Sequence, residues 1–584
     1  MQLATLLRNM FLGDDHPGRA TDFAKVKVRS EDTFFTLDLE DAENHLLNYL
    51  IWPMNTFHLI ARIFDTHDVY QKIVSLEYET DYLKQRKTGN HSINWATALL
   101  NAQTHNEIEI SPRFYRLLSD LFSGSKAKVQ VEELLNNSEY LKLLFELYVV
   151  CDECAYRIQN KIYRTPNALI SRYTEALIAR KERSIIASLS QCDKSNGVIQ
   201  FKSHTPQAGI SLNSLSHDLA YIKPGVEVAA LVGKSIRPTE PNQYNVLVLP
   251  WPLEVKDEFF KPDNKPTLQM NEEFGFFAYE NHQTITHKMI EYAIESSGGQ
   301  ILLDLVVIPE CAVNSNDKTK LLSGLRDYFS ERNIEPPVII FGVFGGGDSV
   351  ESYGENSLEL LYHNRFVEHY VGENQKKHHR WALDATQLNT YGLGHVLSTD
   401  KVKWWENCSI GDRKLISYRD EHIHICPLIC EDLARQDPIA PVVRALGPDL
   451  VVALLLDGPQ MKERWPGRYS LALVDEPGCS ALSISPYGMT QRSTNGVEHD
   501  PSSKVALWSD TRSCEVLELE PDKIAIVLKL KFEDQKQWSA DGRAENKKRL
   551  FYSSHDSVGN ISELRKLGNF DTDSPRQEKL TKGA

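Results

Sequence analysis

Apolar residues in the first 190 positions recur at helical spacing, whereas those after position 243 gather into short continuous runs. Residues 43–64 (ENHLLNYLIWPMNTFHLIARIF) carry a helical pattern interrupted by Pro53, which is expected to end or kink the helix. The longest such pattern covers 132–163, with Leu141, Leu144, Leu147 and Tyr148 on one face, and a further helix is expected over 173–189. Polar stretches at 87–91 and 123–126 read as loops. Residues 1–190 are thus expected to form a mostly α-helical module. Residues 191–242 hold short strand-like or loop segments, and the turn-rich IRPTEPN at 236–242 marks them as a linker.

Beyond that boundary the period changes. A buried strand is expected over 244–249, ended by Pro250 and Pro252, and a helix over 284–296, stopped by Gly298-Gly299. A second strand follows over 301–308 and ends in Pro309-Glu310; then come a helix over 318–332 and a strand over 338–342. Strands alternating with helices at these lengths predict an α/β layered domain over 243–533, with KIAIVLKL at 523–530 as its last strand. Residues 534–584 are charged and poor in apolar groups, so a partly disordered tail ending in DTDSPRQEKLTKGA is expected.

Composition narrows the function classes. A chain of 584 residues implies two to four domains, and 41% hydrophobic with 25% charged residues fits a globular protein with a substantial core. The formal net charge of −15 disfavours a general nucleic-acid or anionic-membrane binder. No run of about 18 apolar residues predicts a transmembrane helix, and the N-terminus lacks a positive region before its short apolar run. Nine scattered cysteines make no disulfide framework, so a cytoplasmic, reducing setting is expected.

Three motif-like features compete for chemistry. Cys151-Asp-Glu-Cys154 lies inside a helical pattern without a second ligand pair, and so reads as core cysteines rather than a zinc or redox site. His363, His369, His378, His379 and His395 show no repeated ligand spacing, so no metal is expected. No phosphate-cradling loop is present, Gly345-Gly-Gly347 reading as a turn, and no cofactor is expected. The third feature is His422-Ile-His-Ile-Cys-Pro-Leu-Ile-Cys-Glu-Asp-Leu433, a strand running into Cys430 at a strand-to-helix turn. Such a turn lifts the sulfur clear of the backbone and leaves the following amide N–H groups free for an oxyanion.

The order strand–Pro309-Glu310, helix, strand, lysine region, strand–Cys430-Glu431-Asp432 resembles the nitrilase (carbon–nitrogen hydrolase) superfamily over about half the chain, 244–532. The Cys-Glu-Asp-Leu form looks most like the glutaminase domains of glutamine-dependent NAD synthetases, although the synthetase partner domain of those enzymes is absent. VRALGPDLVVA at 443–453, RWPGR at 464–468 and ALSISPYG at 481–488 also match the family's pattern. The resemblance implies a four-layer αββα sandwich and a catalytic glutamate, lysine and cysteine. These fall on Glu310, on Lys377 of Lys377-His-His379 with Lys376 as the alternative, and on Cys430. Cys426, which precedes Pro427 within the strand, is read as structural. Relatives often carry a second glutamate after the lysine; Asp384 stands nearby but does not align with it.

The implied reaction is hydrolysis of a non-peptide carbon–nitrogen bond in a small-molecule amide, carbamoyl compound or nitrile. Glu310 acts as base, Cys430 forms a thioester, and Lys377 with the Glu431 backbone N–H receives the oxyanion. The resemblance also implies a homo-oligomer through the nitrilase-like domain. The helical half then regulates the site or docks a protein partner. Two other readings stand beside this one: a nitrilase-fold scaffold with gated catalysis, and a conditional effector of the kind found in bacterial defence.

Overall fold

A computed structural model describes residues 1–11, 49–75, 88–101, 125–162, 185–237, 242–263, 273–283, 285–298, 301–345, 353–492 and 501–567, with short pieces between 27 and 180. Its centre is a pair of stacked sheets. One has seven strands, in the order His369–Lys376, Glu355–Asn364, Val338–Gly345, Leu305–Asn314, Gln243–Val248, Ala525–Trp538, Ala544–Val558. The other has nine, in the order Cys514–Glu518, Lys504–Ser509, Ser480–Ile484, Leu450–Leu454, His424–Ile429, Lys414–Arg419, Glu227–Val232, Ile185–Ile186, Ile178–Arg180.

Strand alternation sorts the layers. Val246, Val248, Leu305, Val307 and Ile340 pack in one core with Leu415, Tyr418, Ile425 and Val452 of the facing sheet. Their neighbours Leu247, Val306, Ile308, Ile339 and Phe341 point the other way, onto Met289, Ile290, Leu321 and Leu325 of helices His287–Ser296 and Ser315–Arg332. Because successive side chains of a strand face opposite sides, continuous apolar runs are what a sheet covered on both faces requires. Helices Ala440–Leu446 and Trp465–Asp475 accompany the nine-stranded sheet. The stacked sheets with their helices are consistent with the α/β sandwich expected from the sequence.

Away from the candidate site, the structure differs from the sequence reading in five places. Pro53 opens the helix Pro53–Thr66 at its first turn, where the missing N–H costs nothing, instead of ending one. Residues 88–91, expected as a loop, begin the helix Thr88–Asn101. The helix expected over 173–189 is replaced, where residues are described, by the strands Ile178–Arg180 and Ile185–Ile186. These β-branched segments pair at the edge of the nine-stranded sheet, and tertiary pairing overrides a weak helical period. Glu227–Val232, expected within a linker, is an interior strand parallel to Lys414–Arg419. Finally, residues 534–558, expected as tail, complete a long hairpin in which Ala525–Trp538 pairs with Ala544–Val558. The end of the expected tail, 571–584, lies outside the described residues.

The longest helix among the described residues, Ser138–Ile162, packs with Pro53–Thr66 in a separate core that holds Cys151 and Cys154, both fully buried. That core also takes in Ile199, Phe201, Leu219 and Tyr221, so residues of the expected linker seat the helices on the sandwich. Asp152 makes the polar part of this junction, accepting backbone N–H bonds from His217, Asp218 and Leu219 at 2.6, 3.0 and 2.8 Å. Arg543, from the hairpin, stands 4.0 Å from the same carboxylate. Among the described residues no helix is long and apolar enough to cross a membrane.

Candidate active site

The glutamate position is built by an irregular strand. Leu305–Asn314 continues past Pro309-Glu310, and its register against Val338–Gly345 shifts between Ile308 and Val313. Such a bulge re-aims the side chains within it. Cys311 accordingly adopts φ +55°, and a Cβ at Gly342 on the neighbouring strand would fall 2.5 Å from the Glu310 Cα. A side chain at 342 would push the glutamate backbone out of place.

Lys377 follows the edge strand His369–Lys376, its backbone N–H bound to the Asn356 carbonyl at 2.9 Å. The two candidate lysines point apart, as adjacent residues of extended chain do. Lys376 is partly exposed and pairs with Asp412 at 2.7 Å. Lys377 is fully buried, with Nζ 2.8 Å from Glu310 Oε1 and 2.6 Å from Glu406 Oε2. Asn356 Nδ2 closes the ring, donating to Glu310 Oε1 at 2.7 Å and Glu406 Oε1 at 2.5 Å. The Trp381 backbone N–H adds a 3.0 Å bond to Glu406. Glu310 Oε2 has no hydrogen-bond partner among the described residues.

Glu406 and Asn356 were not identified as site residues from the sequence. Asp384, the carboxylate weighed there, instead caps the helix Ala385–Thr390, its side chain accepting from Gln387 N–H at 2.9 Å. Glu406 ends the strand Lys403–Glu406, 29 residues beyond Lys377, in a small sheet with Phe274–Tyr279 and Ala382–Leu383. Its one sequence signal is a lone acid closing the aromatic run Trp404-Trp405.

Cys430 ends the buried strand His424–Ile429 with φ +43° and opens a short 3-10 turn, Cys430–Leu433, where an α-helix was expected. Left-handed backbone at a non-glycine residue is uncommon and costs about 1 kcal/mol or more, so the surrounding packing must hold it. Asp432 does part of this. Its carboxylate accepts the His378 backbone N–H at 3.1 Å and meets His378 Nδ1 at 3.0 Å and His379 Nδ1 at 2.9 Å. The Glu431 side chain turns away to Arg435 at 2.5 Å, so its part in the expected site is limited to its backbone.

The electrostatics are those of a buried cluster. Glu310, Lys377 and Cys430 are each at most 2% exposed. Burial raises the Glu310 carboxyl above its usual range, Glu406 adds to this, and Lys377 opposes it. Burial by itself lowers the Lys377 ammonium, but Glu310 and Glu406 more than offset that and hold it charged, well above its ordinary value. Burial and then the Glu310 charge push the Cys430 thiol well up, so it rests protonated and needs a base to react. Cys426 lies on the same strand, its thiol raised by burial and 3.9 Å from His424 Nε2.

Cys311 is a thiol that sequence reasoning did not weigh. Its sulfur and oxygens of Glu310 and Glu406 lie within 4.8 Å of one another, a spacing that a metal ion also tolerates. The Lys377 ammonium already bridges the two carboxylates there. Cys311 packs among Phe260, Phe277, Tyr279 and Trp381, in the aromatic cluster covering this end of the sandwich.

No family model matches the chain, and no curated protein matches it. Several solved structures do. An amidase from Nesterenkonia sp. is 11% identical with a TM-score of 0.26, the match covering 57% of this chain and 99% of that one. Another structure of an amidase of that genus, from strain AN1, is 11% identical with a TM-score of 0.24, over 41% and 77% of the two chains. An N-terminal amidase is 12% identical with a TM-score of 0.21, over 37% and 48%.

Proposed function

We propose that the chain is a thiol-dependent hydrolase of non-peptide carbon–nitrogen bonds in small amides, carbamoyl compounds or nitriles. The observation that carries this reading is the buried Lys377 ammonium held between Glu310 and Glu406, with Cys430 strained at the strand end whose charge environment both Glu310 and Lys377 set. An ion pair desolvated this far gives fold stability little net benefit, so a chemical use accounts for it better than a structural one.

For an amide, Cys430 Sγ attacks the carbonyl carbon while its proton passes to the free Oε2 of Glu310. A C–S bond forms and the carbonyl oxygen becomes an oxyanion, held by the Lys377 ammonium and the Glu431 backbone N–H. Collapse breaks the C–N bond, and Glu310 returns the proton to the leaving nitrogen, releasing ammonia or an amine. Water then adds to the thioester, gives its proton to Glu310, and releases the acid and the thiol. No metal or cofactor enters this sequence of steps.

In this reading residues 1–190 regulate the site or dock a partner, and the sandwich forms a homo-oligomer in the manner of the nitrilase resemblance. Nine free thiols fit a reducing compartment such as the cytoplasm. One observation favours the second reading, a gated site: Cys430 is only 2% exposed. Under gating, the residues that enclose Cys430 must move before substrate reaches the sulfur. The experiment is ammonia release from a panel of amides, nitriles and carbamoyl compounds by wild type and Cys430→Ala. Release dependent on Cys430 is expected; equal release by both proteins would overturn the assignment, and release by neither would favour the scaffold.

A further inference from the structure

Asp457 leaves the sandwich at the same end as Cys430. Its strand, Leu450–Leu454, runs parallel beside His424–Ile429 with Leu454 opposite Ile429, so both residues lie just past the ends of paired strands. The residue is 3% exposed. One of its oxygens is fully engaged: Oδ1 accepts from the Tyr391 hydroxyl and from Arg464 Nη2, the latter at 2.9 Å. The other, Oδ2, is equally buried and has no hydrogen-bond partner among the described residues.

A buried carboxylate oxygen normally finds a donor, because leaving one unmade costs more than an average hydrogen bond gains. Arg464 does not supply it, since its Nη1 is committed to the Pro459 carbonyl at 2.9 Å. The surroundings place Asp457 beside the proposed site. The Tyr391 ring meets Trp381 edge-on at 5.7 Å, and the Trp381 amide is the group that binds Glu406. Asp457 is thus joined to the aromatic wall that holds the glutamate–lysine ring. After burial and the nearer charges, its own charge acts on the Cys430 thiol.

We propose that Asp457 is a substrate-binding residue whose Oδ2 accepts an N–H bond from the acyl side of the substrate, selecting amides whose acyl group carries an amine. This rests on the hydrolase reading above and narrows its substrate class. The ion pair with Arg464 uses only Oδ1, so a purely structural role leaves Oδ2 unexplained.

β-Alaninamide and propionamide differ by one amino group at equal chain length. Wild type is expected to favour β-alaninamide by about tenfold or more in kcat/KM, through KM, as one charge-assisted bond allows. In Asp457→Asn this ratio falls towards one. Equilibrium binding of both compounds to Cys430→Ala protein reads the same preference without chemistry, and it decides the question even if Asp457→Asn does not fold. Preferential binding without wild-type turnover would remove the hydrolase reading and leave Asp457 in place. Turnover of both amides at equal kcat/KM would do the reverse. Equal affinity for the two, binding of neither, or a preference retained in Asp457→Asn would overturn the proposal.

Discussion

Asp432 binds His378, and through that contact the cysteine turn and the lysine segment are fixed to each other. The carboxylate, two residues beyond Cys430, accepts from the backbone of the residue that follows Lys377. Removing it leaves that N–H and two imidazoles without their acceptor, inside the protein. Asp432→Ala is expected to cost about 1–3 kcal/mol of stability. It should also lower kcat, because Lys377 then drifts relative to Cys430. Thermal melts paired with steady-state kinetics check this; a destabilised protein with unchanged kcat would separate the contact from catalysis.

The lysine assignment has a direct comparison. Lys377→Ala should reduce kcat about 10²–10³-fold, the usual loss of one oxyanion donor. Lys376→Ala should change it little, since Lys376 pairs at the surface with Asp412. Lys377→Ala also leaves Glu310 and Glu406 facing each other without a cation, so its melting temperature should fall sharply. Turnover that survives Lys377→Ala and is lost in Lys376→Ala would reverse the choice.

Thiol chemistry distinguishes the cysteines. Cys514 is the only one not fully enclosed and should be alkylated first in native protein. Cys430 should follow, ahead of Cys426, as the cover over it opens. Mass-spectrometric mapping of iodoacetamide adducts over time gives the order. Cys311→Ser should retain most turnover and Cys430→Ala none; the opposite pattern would make Cys311 the nucleophile.

Turnover should fall on the acid side at a pH above the ordinary glutamate value of 4.5, because Glu310 must be ionised to accept the thiol proton. Burial raises its folded-state value, so the acid limb moves up with it. A kcat/KM profile with no limb above 4.5 would exclude Glu310 as the base.

Stability should follow a different group. Burial lowers His58 from 6.5 to about 4, while its Nε2 meets the Asn196 carbonyl at 3.2 Å. The unfolded chain binds this proton more readily than the folded one, so the stabilisation is present above 6.5 and is lost as pH falls towards 4. The loss amounts to about 3 kcal/mol at its limit. Urea melts across that window, compared with His58→Gln, should show a shallower pH slope in the variant.

The parts of the site that are local in sequence were legible there. Pro309-Glu310 and Cys430-Glu431-Asp432 each interrupt a continuous apolar run, Glu310 at the irregularity within Leu305–Asn314 and Cys430 just past the strand His424–Ile429. Glu406 was not legible, because an excursion of two short strands and a helix separates it from Lys377, and only the folded sheet brings them within 2.6 Å. Glu227–Val232 was lost among turn signals because it pairs with a strand almost 190 positions away. In the stretch 533–558, polar and charged residues fill both strands of an edge hairpin in which partly buried and exposed positions alternate, and charge alone made it read as tail.

That hairpin gives the chain a mechanical property that neither half has alone. Its first strand lies beside Gln243–Val248 in the seven-stranded sheet, and its far end carries Arg543 and Lys547 to Asp152 and Asp218. One ribbon therefore spans from the core of the sandwich to the seat of the N-terminal helices. A stop codon placed near 533 would bare the flank of the seven-stranded sheet and unseat the helices together. Any displacement of the helices by a partner would be felt, through the same ribbon, beside the strand that leads to Glu310.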